Sequence, residues 1–106
     1  MTKVVVEAGI CGFTTTVEAV SLPAHKIGVT ITSDCEDVAK IGEQLKEVSW
    51  IDLWKQQGEG YFAYQAAMKK VKHNTCPVPV GILKAIEVEA GLALPRDVTI
   101  QFKTTS

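Results

Sequence analysis

Three cysteines are the residues of this chain best suited to chemistry, and each stands at a corner between regular elements. Cys11 lies in Ala8-Gly9-Ile10-Cys11-Gly12-Phe13, Cys35 in Thr32-Ser33-Asp34-Cys35-Glu36, and Cys76 in His73-Asn74-Thr75-Cys76-Pro77-Val78-Pro79. A thiolate is both a soft metal ligand and a nucleophile, so three that met in space would form a site. His73, just ahead of Cys76, is a candidate fourth donor. Three thiolates with one imidazole satisfy tetrahedral zinc, and three thiolates alone can hold an iron–sulfur cluster with one iron left open. Paired Cys-x-x-Cys knuckles are absent, so the spacing names donors without choosing a metal. Asp34 and Glu36 flank Cys35 as capping groups, and either carboxylate could accept a proton from a bound substrate. The plainer alternative is that Cys11 and Cys35 are small reduced residues packed at crowded turns. Cys76 has the stronger claim to reactivity, because a helix's first turn favours negative charge.

The elements that must position these residues follow from periodicity. Residues 3–8 are rich in β-formers, with Val4, Val6 and Ala8 on one face. Gly9 and Gly12 then permit a tight turn around Ile10-Cys11. Phe13 to Ser21 alternates as a half-buried strand with a weak core signal. Leu22-Pro23-Ala24-His25 turns again, and Ile27, Val29 and Ile31 define the clearest strand. Val38, Ile41, Leu45 and Val48 fall at helical spacing, with Ser33 or Asp34 as the expected N-cap. Ser49 and Asp52 read as a variant capping box opening a short segment that carries Trp50 and Trp54. A helix is expected over about residues 60–72. Another begins at Thr75-Cys76-Pro77, presents Val80, Leu83, Ile86 and Ala90 on one face, and stops at Gly91. Val98, Ile100 and Phe102 alternate in an expected final strand.

The expected order is β-β-β-α-α-α-β, a two-layer α+β sandwich with a four-stranded, mostly antiparallel sheet and helices on one face. Residues 1–106 form one domain in this reading. In a meander, strands one and three end at the same sheet edge, which places Cys11 beside Cys35. If the final strand runs parallel to strand one, the helix feeding it starts at that edge and brings Cys76 there too.

Composition excludes several classes of function. A net charge of −1 carries no electrostatic footprint for nucleic acid or anionic lipid. The run Lys69, Lys70, Lys72, His73 reads as a solvated helix end. No segment approaches the roughly 20 apolar residues that span a bilayer, and the first residues read as a strand rather than a signal peptide. A cytoplasmic location with reduced thiols is therefore expected, and the odd cysteine count argues against a disulfide framework. His25 reads as an exposed turn residue, and Trp50, Trp54, Tyr61, Phe62 and Tyr64 as packing groups. No nucleotide-binding or hydrolase motif is present.

The segments Ala8-Gly9-Ile10-Cys11-Gly12-Phe13, Ser33-Asp34-Cys35-Glu36 and His73-x-x-Cys76-Pro77-Val78-Pro79, followed by the helix through Lys84 and by Leu92-Ala93-Leu94-Pro95, resemble a family of small uncharacterised prokaryotic proteins. The resemblance covers nearly the whole chain and implies no activity. From the residues themselves, the first expectation is a metal- or iron–sulfur-binding protein using Cys11, Cys35 and Cys76, with His73 optional, whose role is carriage, sensing or service to a partner enzyme or protein. The second is a thiol redox or nucleophilic-cysteine enzyme acting through Cys76. The third is a non-catalytic interaction domain with structural cysteines.

Overall fold

A computed structural model of the chain describes residues 1–104. Three strands, β1 (Thr2–Glu7), β2 (Thr14–Leu22) and β3 (Lys26–Ser33), form the expected antiparallel meander. The first helix, α1 (Glu36–Gln44), leads to a short strand, β4 (Glu47–Ser49), which pairs antiparallel with the start of β3. A 3-10 turn at Leu53–Lys55 precedes α2 (Gly58–Lys70) and α3 (Val78–Glu89). The sheet order is β1-β2-β3-β4, and all three pairings are antiparallel.

The class is thus α+β, with the helices covering one face of the sheet. Along β2, Thr15, Val17 and Ala19 are fully buried, while Thr14, Thr16, Glu18 and Val20 turn to the other face. The strand with the faintest apolar pattern therefore runs through the middle of the core. Ile27 and Val29 of β3, Val38 and Ile41 of α1, and Val78, Ile82, Ala85 and Ile86 of α3 close around it. Val4, Val6, Ile31, Leu45 and Leu83, expected in the core, pack only at its margin.

Several sequence expectations need correction. The fourth strand is not the last element, because helix α1 stops at Gln44 and Leu45 leaves it in an extended conformation. Val48 continues the helical spacing by coincidence. It is buried as the centre of β4, opposite Ile27. Residues 98–102 join no strand, and Val98, Ile100 and Phe102 are exposed. The Ser49–Asp52 capping box does not form. The Ser49 hydroxyl accepts from the Ile51 amide, and Asp52 is left-handed (φ 66°). On α3 the buried stripe is Val78, Ile82, Ala85 and Ile86, and Val80 is exposed.

Direction matters most for the site. Glu89, at the end of α3, accepts hydrogen bonds from the Thr2 hydroxyl (2.8 Å) and from the amide and hydroxyl of Ser21 (2.9 and 2.8 Å). Helix α3 therefore ends where β1 begins and starts where β1 ends.

Candidate functional site

The chain corners after β1, after β3 and before α3 meet at one end of the sheet and enclose a pocket of about 410 Å³. Its walls include Cys11, Cys35, Cys76, His73, Asp34 and Glu36. The three corners line one pocket, but for a different reason from the one the sequence offered. The arrangement rests on α3 running antiparallel to β1, held there by Glu89, and needs no strand after α3.

Each cysteine is placed by a local device. Cys11 sits at the exposed tip of a turn closed by the Gly12 amide donating to the Gly9 carbonyl (2.9 Å). Gly9 and Gly12 both have positive φ (87° and 72°), a conformation that other residues adopt at a cost. Cys35 is the N-cap of α1, displacing Ser33 and Asp34 from that expected role, and its carbonyl accepts the first helical bond from Ala39 (2.9 Å). Its own amide donates to the Ser33 hydroxyl (3.1 Å), which in turn shares a hydrogen bond of 2.7 Å with buried Thr15. Cys76 precedes α3, one position outside the Pro77 cap, rather than lying in the first turn. Its amide donates to the His73 carbonyl (3.2 Å), which folds the His73–Cys76 segment back on itself. Cys35 and Cys76 are half-buried against the core, and all three thiols are free.

The electrostatics are mixed. The starts of α1 and α3 both contribute to the wall and lack side-chain caps, so first-turn amides stand available near the pocket. Asp34, Glu36 and Asp37 line the same rim and make it acidic. Lys72, the one lysine in the wall, stands 3.7 Å from the Asp37 carboxylate. Ala8, Phe13, Val38, Val71 and Val78 supply an apolar interior. Among the described residues no three His, Cys, Asp or Glu side chains stand close enough together to hold a metal ion.

The Thr15–Ser33 hydrogen bond and the Lys72–Asp37 pair are the contributions that sequence reasoning passed over. Thr15 left one usable signal, a hydroxyl in the row Phe13, Thr15, Val17, Ala19 that a buried strand face would otherwise fill with apolar groups. The Lys72–Asp37 pair left none, because the two residues are remote in sequence. His25 is an exposed turn residue, as expected, and lies edge-on to Trp50 with ring centroids 5.1 Å apart.

Fold and pocket together define a small two-layer α+β protein with a thiol-lined pocket at one end of its sheet. Residues 2–102 match a family of unknown function (DUF6951), and the chain belongs to that family. Comparison with curated proteins and with solved structures gives no match. No described helix is long and apolar enough to cross a membrane.

Proposed function

We propose that the pocket binds an iron–sulfur cluster through Cys11, Cys35 and Cys76, with His73 as the candidate fourth donor, in service of a partner protein. The observation that carries this reading is that one pocket is lined by all three cysteines. A single zinc ion would draw its sulfurs to about 4 Å of one another, given zinc–sulfur bonds of about 2.3 Å. The described side chains form no such knot. Cysteines around a [4Fe–4S] cluster each hold a different iron, so their sulfurs stand farther apart. The uncapped helix starts favour the negative charge of thiolate and sulfide. A cluster held by three cysteines keeps one iron open to a ligand or to transfer.

Anaerobic purification followed by iron, sulfide and zinc analysis and a visible spectrum tests the reading. Stoichiometric iron and acid-labile sulfide, lost when any one of the three cysteines becomes serine, is the expected result. Stoichiometric zinc would replace the cluster with a single ion. Metal-free protein after anaerobic reconstitution with iron and sulfide would overturn the proposal.

A second reading rests on the free Cys35 and Cys76, half-buried in the wall of the same pocket. Free thiols in an open, partly apolar pocket also suit exchange with a small disulfide substrate: the Cys76 thiolate attacks one sulfur and releases the other as a thiol, and Cys11 or Cys35 then attacks the mixed disulfide, releasing the second thiol and leaving an internal disulfide. Its signature is a metal-free protein in which Cys76 alone is alkylated rapidly.

A further inference from the structure

The segment after α3 leaves the body of the protein. Residues 94–104 are exposed throughout and carry no helix or strand. The molecule measures 52 Å along its longest axis against 28 and 23 Å along the others. Val98, Ile100 and Phe102 are 61%, 85% and 103% exposed, yet they alternate with Thr99, Gln101 and Lys103 as in a strand with one buried face. Such a pattern lacks a physical reason in a segment that stays in water.

The sheet offers the matching vacancy. Among the described residues strand β1 is an edge, paired with β2 alone. Its core-facing Val4 and Val6 are half-buried under Gly81 of α3, and Val88, two turns further along the same face of α3, is half-buried as well. An unpaired edge flanked by apolar side chains is a template for another strand.

We propose that residues 97–103 of one copy add as a strand to the β1 edge of a second copy, reciprocally, to form a strand-exchanged dimer. Direction and register follow from charge and connection. A parallel strand with Ile100 beside Val4 and Phe102 beside Val6 sets Lys103 beside Glu7 on the outer face. The antiparallel alternative with Ile100 beside Val4 sets Asp97 against Glu7, which is repulsive. Helix α3 ends beside Thr2, so a strand running on from there along β1 is parallel to it, and exchange preserves that pairing between copies. The second copy is the occupant because the described segment runs away from its own edge with its apolar residues bare. Exchange of an identical element is a low-cost route to a two-fold dimer.

Light scattering on the full chain should give twice the monomer mass. Ile100→Asp and Phe102→Asp should each weaken dimerisation at least about 100-fold, since each enters a symmetric dimer twice. Lys103→Glu should weaken it less, and Glu7→Lys/Lys103→Glu should restore it. The far-ultraviolet circular dichroism of the body should survive the tail substitutions, which separates lost exchange from failed folding. Carbodiimide coupling of mixed heavy- and light-isotope protein should link Glu7 to Lys103 between chains. A monomer at about 100 µM, a dimer indifferent to Ile100→Asp, or a Glu7–Lys103 link found only within one chain would each overturn the proposal.

Discussion

Gly81 of α3 lies against Val6 of β1 so closely that a Cβ built on the glycine would overlap the valine's Cγ2. The contact lets α3 settle onto the sheet edge and carry Cys76 to the pocket end. Glycine inside a helix ordinarily costs about 1 kcal/mol relative to alanine, so the position favours close approach over propensity.

Gly81→Ala therefore should destabilise the fold by about 1–2 kcal/mol, the overpacking cost exceeding the helix gain. Val6 has few rotamers with which to turn aside. Adding Val6→Ala should recover part of the loss. Thermal unfolding of both variants checks this, and a raised midpoint in Gly81→Ala would show that the valine moves freely.

Core assignment gives a second comparison. Ile27 is fully buried and faces Val48, whereas Ile31 sits half-buried near the end of the same strand. Ile27→Ala should cost about 2–5 kcal/mol, and Ile31→Ala clearly less. Denaturant midpoints decide the order. Equal losses would mean that Ile31 is as enclosed as Ile27.

The same residues show what was legible in the sequence. Strand β3 announced itself because Ile27, Val29 and Ile31 alternate strictly with small or polar groups. Strand β4 was hidden because Val48 falls at helical distance from Ile41 and Leu45, and three residues are too few to display alternation. The last segment misled in the opposite sense. Val98, Ile100 and Phe102 carry a strand's pattern, but pattern fixes which face wants burial and not which chain supplies it. The cysteine corners were legible because Gly9, Gly12, Asp34 and Pro77 punctuate them. The Thr15–Ser33–Cys35 chain was not, since it depends on β2–β3 register, in which Thr15 faces Ser33.

That register yields the third prediction. Ser33 is the acceptor for the Cys35 amide and the hydrogen-bond partner of Thr15, whose side chain is buried. Ser33→Ala leaves both without that partner and should cost about 1–3 kcal/mol. It should also loosen the start of α1, seen as faster amide exchange at Cys35 in deuterium. Unchanged exchange there would mean that the hydroxyl does not position the cysteine.

The last prediction concerns acid. Hydrogen bonds from the Thr2 and Ser21 side chains hold the Glu89 carboxyl below the ordinary glutamate range, with the Ser21 amide adding to the effect and partial burial opposing it. A carboxyl whose folded pKa is depressed stabilises the fold fully above its unfolded value, about 4.3. That contribution fades as the pH falls through the depressed folded value, because protonation then favours the unfolded chain. Glu89→Gln keeps the shape but replaces a charged acceptor with a neutral amide. At neutral pH it should cost about 1–2 kcal/mol, the low end for charge-assisted bonds at a partly exposed site. As the pH falls below the unfolded value of about 4.3 and on through the depressed folded value, the variant and the parent should converge, since both then present an uncharged group to Thr2 and Ser21. Urea midpoints measured from pH 7 down to pH 3 check both statements. A constant gap between the two proteins across that range would show that the carboxylate's charge contributes nothing, and that Glu89 fixes the end of α3 to β1 by shape alone.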